Sequence, residues 1–185
     1  MKRTTLGRTD IEVSAFCLGT MTFGTNTSED EGHRQLDMSL DMGIDFLDTA
    51  EMYPVNPVRK ETVGLTEEII GRWIATSGRR NDYVIATKCA GENGSFVREG
   101  QLVDAKIIRE ACEGSLRRLQ TDVIDLYQLH WPNRGSYHFR QIWNYDPSKQ
   151  DRATTIQNIE DVMGALKALV DEGKIRAFGL SNESA

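Results

Sequence analysis

Short apolar segments alternate with amphipathic helical segments along this chain of 185 residues, and this alternation restricts the fold more than any other feature. The apolar segments have the length and composition of buried strands, and they occupy residues 15–19, 44–48, 83–88, 123–130 and 175–180. The segments between them repeat apolar residues at a helical spacing, which predicts helices near 28–42, 66–77, 104–119 and 154–172. Because strands that alternate with helices pair in parallel through right-handed crossovers, we predict an α/β protein with one parallel sheet.

Residues that start and stop helices support these boundaries. Ser28, with Glu31 three residues later, has the pattern of a capping box, and Gly43 is a typical helix stop. Thr66 and Asp104 are expected to cap the second and third helices through their side-chain oxygens. The first three helices therefore have definite predicted starting points.

Two architectures place helices between the strands of a parallel sheet. A doubly wound sheet that binds a dinucleotide has the pattern G-x-G-x-x-G after its first strand, whereas residues 19–24 read G-T-M-T-F-G. A (β/α)8 barrel carries its chemistry at the carboxyl ends of its strands, where polar residues of this chain lie. We therefore predict one domain over residues 1–185, a TIM-type (β/α)8 barrel with only the first five βα strands present. Residues 4–6 and 11–14 flank a turn and predict a β-hairpin before the barrel.

Four polar residues lie at or just after three consecutive predicted strands. Asp48 ends the second strand and Tyr53 follows five residues later, while Lys88 ends the third strand and His130 the fourth. Taken singly, each has an ordinary structural explanation: a turn aspartate, a loop tyrosine, a solvated lysine and a hydrogen-bonded core histidine. Together, a carboxylate, a phenol, an ammonium and an imidazole at one rim make a proton-transfer site, and we predict that this tetrad is catalytic.

Four segments resemble motifs of the aldo-keto reductase family, in the order found there. Residues 43–53 (GIDFLDTAEMY) resemble the motif around the catalytic aspartate and tyrosine of that family. Residues 87–88 and 129–131 match its lysine and histidine strands, and residues 174–182 (KIRAFGLSN) resemble the strand that supports the nicotinamide carboxamide. The insertion at 131–152 is most similar to the bacterial Tas-like branch, and the resemblance covers the whole chain.

The resemblance implies reduction of an aldehyde or ketone, in which hydride reaches carbon and a proton reaches oxygen. Tyr53 would be the proton donor, although a tyrosine, with a reference pKa of about 10, is a weak acid at neutral pH. Lys88 would stabilise the tyrosinate and so lower the barrier. Asp48 would hold the lysine, and His130 would orient the carbonyl oxygen. Since no side chain supplies hydride, the implied cofactor is NADPH.

The resemblance also assigns residues to the cofactor and the substrate. The nicotinamide half of the cofactor would be contacted by Gly19, Thr20, Met21, Asp48, Ser181 and Asn182. Trp131 would line the pocket of a small-molecule carbonyl substrate, and a packing role is an equal alternative. NADPH rather than NADH is taken from the family, and the physiological substrate stays open.

Charge and cysteine usage exclude several classes of protein. A formal net charge of −6 argues against a nucleic-acid binder and against binding to an anionic membrane, and no apolar run is long enough to span a membrane. Cys17, Cys89 and Cys112 lack metal-ligand spacing and indicate reduced thiols. With no apolar leader at the N-terminus, these features predict a cytoplasmic protein without a metal. Cys89, next to Lys88, is favoured as a small buried residue over a reactive thiolate.

The length conflicts with a complete barrel, which needs about 200–250 residues. We therefore expect the first part of a longer reductase, whose end strands expose their backbone edges. Apolar strand faces would be incompletely covered, and the residues concerned are Phe16, Leu18, Ile44, Phe46, Val84 and Ile124. Such a chain is expected to self-associate through these edges or to be marginally stable.

Three functions remain open at this point. They are an NADPH-dependent carbonyl reductase, a non-catalytic binding module like the potassium-channel β-subunits that share the fold, and a barrel fragment with no activity of its own. The four tetrad residues favour the first. The aromatic residues of the 131–152 insertion predict either a lid over bulky or aromatic carbonyls or packing of the loop onto the barrel; they are Trp131, Tyr137, Phe139, Trp143 and Tyr145.

Overall fold

The computed structural model describes residues 1–92, 96–135, 137 and 142–183. An antiparallel hairpin comes first, formed by β1 (Arg3–Thr5) and β2 (Glu12–Ser14). Five further strands follow, which are β3 (Cys17–Gly19), β4 (Phe46–Asp48), β5 (Val84–Cys89), β6 (Ile124–Leu129) and β7 (Ile175–Leu180). The helices between them are α1 (Glu29–Asp41), α2 (Leu65–Ser77), α3 (Ala105–Leu119) and α4 (Arg152–Asp171).

The five later strands form one parallel sheet in which strand order follows chain order, from β3 to β7. The register runs across the sheet from Gly19 through Asp48, Ala86 and Leu126 to Ala177. A doubly wound sheet would reverse its strand order at a switch point, and this sheet does not. The predicted partial barrel with its leading hairpin is therefore confirmed, and β3 and β7 are its edge strands.

Side chains alternate between the two faces of the sheet and create two apolar regions. On the outer face, strands and helices share one large buried cluster, which includes Leu47, Ile85, Tyr127, Ile70, Ile108 and Leu166. On the inner face, Ile11 and Val13 of the hairpin segment pack with Ala177 and against the partly buried Phe46 and Val84. The hairpin thus closes the amino-terminal end of the sheet, and the carboxyl ends of the strands stay open for polar side chains.

Two of the three predicted helix caps are present. The hydroxyl of Ser28 accepts a hydrogen bond from the backbone N–H of Glu31 at 3.3 Å, and the carboxylate of Asp104 accepts from the N–H groups of Lys106 and Ile107. Gly43 follows α1 with a φ of 75°, a left-handed conformation that glycine adopts without strain. These local signals need no distant contact, which is why the sequence was sufficient to find them.

The prediction that Thr66 caps α2 is wrong. The helix begins at Leu65 after Gly64, so Thr66 lies inside its first turn. The hydroxyl of Thr66 donates to the carbonyl oxygen of Phe23 at 2.8 Å. The backbone carbonyl of Tyr53 instead accepts hydrogen bonds from the N–H groups of Gly64 and Thr66 at the start of the helix. A tertiary contact therefore replaces the side-chain cap, and it fixes the loop that carries Tyr53.

Exposure of apolar strand faces agrees with the prediction at most positions. Phe16 is 64% exposed, and half-buried residues are Leu18, Ile44, Phe46 and Val84. The prediction is wrong for Ile124, which is fully buried. Ile124 pairs with Ile175 of β7 and belongs to the same apolar cluster as Leu166 of α4, so the last helix covers it.

In the part of the chain that the structure describes, no helix is long and apolar enough to cross a membrane. The longest of these helices, α4, has 20 residues, and its solvent side carries ion-pairing groups such as Lys167 and Asp171.

Candidate active site

The predicted tetrad comes together at the carboxyl ends of β4, β5 and β6. Asp48 is the last residue of β4, Lys88 is the last but one of β5, and His130 directly follows β6. The loop after β4 brings Tyr53 to the same rim. Parallel strands end at one edge of a sheet, so residues 40 positions apart in sequence become neighbours.

Lys88 and Asp48 form the electrostatic centre of this group. The Nζ atom of Lys88 donates to Oδ2 of Asp48 at 2.6 Å and to the carbonyl oxygen of Thr49 at 2.8 Å. Only 7% of the lysine side chain is exposed, against 30% for the aspartate. A buried ammonium needs such partners, because it has lost its hydration. The two contacts hold the Nζ atom at one point beside the tyrosine.

Tyr53 lies next to that ammonium. Nζ of Lys88 is 5.2 Å from the centre of the Tyr53 ring, and the Tyr53 and His130 rings meet edge to face with their centres 5.8 Å apart. Burial, and secondarily the charge of Asp48, raise the pKa of Tyr53 to about 12. The phenol is consequently protonated at neutral pH. The Lys88 ammonium donates to Asp48 and does not lower the pKa of Tyr53 before the proton is transferred, so its role in stabilising the tyrosinate stays a prediction.

His130 is buried and uncharged. It is 6% exposed, and burial, with a smaller contribution from the charge of Lys88, lowers its pKa to about 3. The Nδ1 atom is buried without a hydrogen-bond partner among the described residues. A neutral imidazole keeps one N–H donor and one acceptor nitrogen, so this side chain can orient a carbonyl oxygen without carrying a charge.

The backbone around Tyr53 is held on both sides. Its N–H donates to the carbonyl of Ala50 at 3.0 Å, and its own carbonyl accepts from Gly64 and Thr66 at 3.2 and 3.3 Å. The tyrosine is therefore fixed by the first turn of α2 as well as by the loop after β4.

Apart from Asp48, which ends β4, the residues assigned to the nicotinamide lie at or just after the two edge strands of the sheet, β3 and β7. Gly19 ends β3, and a Cβ atom at this position would meet nothing within 4 Å. Thr20 is fully buried, and its hydroxyl donates to the carbonyl oxygen of Asp48 at 2.9 Å. Met21 is 45% exposed. This segment thus combines an open surface at Gly19 and Met21 with a buried anchor at Thr20.

Ser181 and Asn182 follow β7 at the other edge. The side-chain amide of Asn182 donates to the carbonyl oxygen of His130 at 2.8 Å and to the hydroxyl of Ser181 at 3.0 Å. Asn182 has a φ of 57°, a left-handed conformation in which asparagine is enriched. The end of β7 is thereby tied to the loop that carries His130.

Trp131 lies against the tetrad. Its ring centre is 4.7 Å from that of His130, and its Nε1 atom donates to the carbonyl oxygen of Glu92 at 2.8 Å. A Cβ atom at Gly91 would come within 2.8 Å of the same Nε1, so the close approach requires glycine. Phe139 of the insertion lies outside the described residues. The indole packs beside a catalytic candidate, which is compatible with both roles left open for it.

Sequence reasoning missed Glu51, which lies between Asp48 and Tyr53. Its side chain is 3% exposed and paired with Arg98. Burial raises the pKa of Glu51 although Arg98 opposes the shift. The available signal was a further acidic residue inside the motif at residues 43–53, between the predicted catalytic aspartate and tyrosine.

Cys89 does not supply a reactive thiolate to this site. Cys89 is fully buried, and burial raises its pKa well above the usual value, with the charge of Glu51 acting in the same direction. The thiol is therefore uncharged, as expected for a small buried residue. Across the described ranges, no three His, Cys, Asp or Glu side chains are grouped so that they could hold a metal ion.

Comparison with known proteins agrees with the motifs. The sequence pattern of the Aldo/keto reductase family matches residues 15–185. "Protein tas" of Escherichia coli K12 is 47% identical over 178 residues, which are 95% of this chain and 50% of that protein. "Aldo-keto reductase yakc [NADP(+)]" of Schizosaccharomyces pombe is 34% identical and is covered to 42%, with 91% of this chain aligned.

A solved structure gives the same result in three dimensions. The aldo-keto reductase AKR11C1 from Bacillus halodurans, in its holo form, superimposes with a TM-score of 0.71 and 34% identity. The superposition covers 98% of this chain and 50% of that protein. The chain therefore spans about half the length of the relatives it matches.

Proposed function

This chain belongs to the aldo/keto reductase family, and on that premise we propose that it reduces aldehydes or ketones to alcohols with NADPH, with Tyr53 as the proton donor. The observation that carries the proposal is the buried Lys88–Asp48 ion pair beside a protonated phenol and a neutral imidazole.

Carbonyl reduction makes two demands that these side chains meet. Negative charge develops on the carbonyl oxygen, and a proton must reach it. Tyr53 holds its proton at neutral pH and has an ammonium 5.2 Å from its ring. When the phenol gives up the proton, the ammonium of Lys88 stabilises the tyrosinate. Asp48 keeps the lysine in place at 2.6 Å, and the neutral His130 can donate a hydrogen bond to the same oxygen.

The residues at the two edge strands fit a nicotinamide amide group. The Asn182 amide nitrogen is used by His130 and Ser181, which leaves its side-chain oxygen and the Ser181 hydroxyl proton for a carboxamide. The space above Gly19 is open. When bound, a reduced nicotinamide supplies the hydride that no side chain provides. NADPH is favoured because one relative carries NADP(+) in its name.

Several finer assignments accompany this proposal. An aromatic side chain at the site favours a bulky or aromatic carbonyl, since the Trp131 ring lies 4.7 Å from that of His130. Three free thiols favour a cytoplasmic location. The edge strands and the exposed Phe16 favour self-association.

The test is loss of NADPH absorbance with an aromatic aldehyde, measured for the chain and for Tyr53→Phe. We expect turnover that the substitution lowers by about 10²–10⁴-fold, the usual contribution of a general acid. Tyr83→Phe is the matched control, since it also removes the hydroxyl of a buried tyrosine. Tyr83 directly precedes β5, at the end of the strand away from the tetrad, and its hydroxyl donates to the carbonyl oxygen of Leu36. No turnover and no change of NADPH fluorescence on mixing would overturn the proposal.

A further inference from the structure

Glu51 is a buried carboxylate placed between two members of the tetrad. It follows Asp48 by three residues and precedes Tyr53 by two, and its side chain is 3% exposed. The mechanism proposed above does not use it. Moving a carboxylate out of water costs several kcal/mol even after relaxation, so its contacts need an explanation.

Those contacts fasten the tyrosine loop to the lysine strand. The backbone N–H of Glu51 donates to the carbonyl of Lys88 at 3.2 Å, and its carboxylate accepts from the N–H of Ala90. Two hydrogen bonds thus join the loop to the end of β5, one to Lys88 before Cys89 and one to Ala90 after it.

Arg98 completes this attachment. Its guanidinium pairs with the second carboxylate oxygen of Glu51, donates to the carbonyl of Ala90 at 2.7 Å and contacts Sγ of Cys89 at 3.6 Å. Arg98 and the next residue, Glu99, have φ values of 45° and 57°. Non-glycine residues in this region cost conformational energy, and the contacts of Arg98 offset that cost.

We infer that Glu51, paired with Arg98, is a positioning residue that sets the distance between Tyr53 and Lys88. The inference rests on the proposed reductase function for its kinetic consequences. A buried ion pair is often replaceable by apolar residues without loss of stability, so stability is a weak reason for it. Glu51 instead holds the loop between Asp48 and Tyr53 against β5, the strand that carries Lys88.

A buried carboxylate at the other end of the strands provides the matched comparison. Asp125 of β6 accepts from Arg80 and Arg176 at 2.8 Å and from the backbone N–H of Ile85 at 2.9 Å. Like Glu51, it is held by arginine and by a backbone N–H group, but its described hydrogen bonds do not involve the loop between Asp48 and Tyr53. Neutralising either carboxylate leaves arginine without a charged partner, whereas the bonds of Glu51 attach the loop that carries Tyr53.

The experiment measures kcat and KM for NADPH-dependent reduction of an aromatic aldehyde in Glu51→Gln and Asp125→Asn, with the exposed Glu68→Gln as a further control. Glu51→Gln is expected to lower kcat about 10- to 100-fold with little change in KM, because an error of about 1 Å in position is enough for such a loss. Asp125→Asn is expected to lower the melting temperature as much and to change kcat less than about threefold. Equal losses of kcat in both variants would overturn the inference.

A double variant covers the case in which Glu51→Gln folds poorly. Glu51→Gln with Arg98→Gln leaves no unpaired charge, and its amides can rebuild the bond to Ala90. It is expected to regain the melting temperature and to bring kcat within about tenfold of the unchanged chain. A regained melting temperature with kcat as low as in the single variant would count against a positioning role.

A measurement without turnover distinguishes failure of this inference from failure of the proposed function. The ¹⁵N resonance of the Lys88 ammonium, identified by its absence in Lys88→Gln, reports the environment of that group directly. It is expected to shift in Glu51→Gln and not in Asp125→Asn, even if the chain reduces no aldehyde. An unchanged resonance in Glu51→Gln would overturn the inference while leaving the proposed function intact.

Discussion

The two ends of the parallel sheet carry ion-paired aspartates with opposite surroundings. At the amino-terminal end, Asp125 of β6 accepts from Arg80 and Arg176 at 2.8 Å and from the N–H of Ile85 at 2.9 Å. At the carboxyl end, Asp48 pairs with Lys88 beside a phenol and an imidazole whose Nδ1 atom has no partner among the described residues. We call these groups the base cluster (Asp125, Arg80 and Arg176) and the rim tetrad (Asp48, Tyr53, Lys88 and His130).

The difference shows which end of this sheet has polar side chains that a substrate could reach. In the base cluster every carboxylate oxygen is used, and the aspartate side chain is 6% exposed, so the arrangement contributes to structure. In the rim tetrad the side chain of Asp48 is 30% exposed, and the Nδ1 atom of His130 has no hydrogen-bond partner among the described residues. Active sites of barrel proteins lie at the carboxyl ends of their strands, whereas the opposite end serves stability.

The largest effect that tests this contrast is on activity. Lys88→Met removes the ammonium beside Tyr53, and we expect the reductase rate to fall by about 10²–10⁴-fold. Stability should change less than at the base cluster, because the remaining Asp48 reaches solvent. The measurement is NADPH oxidation together with urea unfolding.

Lys174→Met is the matched control for that variant. Lys174 precedes β7 at the base of the sheet and pairs with Glu113 at 2.8 Å. It should leave the rate unchanged, and an equal loss of rate in both variants would remove the distinction between the two ends.

The next effect is on stability. Asp125→Asn leaves Arg80 and Arg176 with an uncharged partner, and breaking a buried pair of this kind costs about 3–5 kcal/mol of unfolding free energy. Urea unfolding measures this value, and kcat should stay nearly constant under conditions where the variant is folded. Asp122→Asn, an exposed aspartate three residues earlier, should change neither quantity. A large loss of kcat in folded Asp125→Asn would contradict the comparison.

The effect of pH is the smallest when the unfolding free energy is compared over a single pH unit. The pKa of His130 is about 3 in the folded chain, against about 6.5 when unfolded. Between these values the unfolded state binds more protons, so His130 destabilises the fold as pH falls below about 6.5, by at most about 1.4 kcal/mol per pH unit. His130→Gln should flatten the dependence of unfolding free energy on pH between about 3 and 6.5. Equal slopes in both proteins would show that His130 is not buried in its neutral form.

Much of the fold was predictable because its signals are local. The spacing of apolar residues predicted five strands and four helices, and Ser28 and Asp104 mark helix starts through bonds to residues two or three positions away. The cap prediction for Thr66 was wrong because the group that accepts from the first N–H groups of α2 is not local. It is the backbone carbonyl of Tyr53, which lies in another loop. Ile124 was expected to be exposed, but α4 covers it.

The sequence by itself determined the strand ends at which the rim tetrad lies, because parallel strands that alternate with helices must end at one edge. Only the tertiary structure decided the ionisation of that tetrad. Burial and the charge of Asp48 raise the pKa of Tyr53, whereas burial and the charge of Lys88 lower the pKa of His130. The role of Glu51 was equally hidden, because its partners Lys88, Ala90 and Arg98 lie 37 or more residues away along the chain and meet it only when the loop after β4 packs on β5.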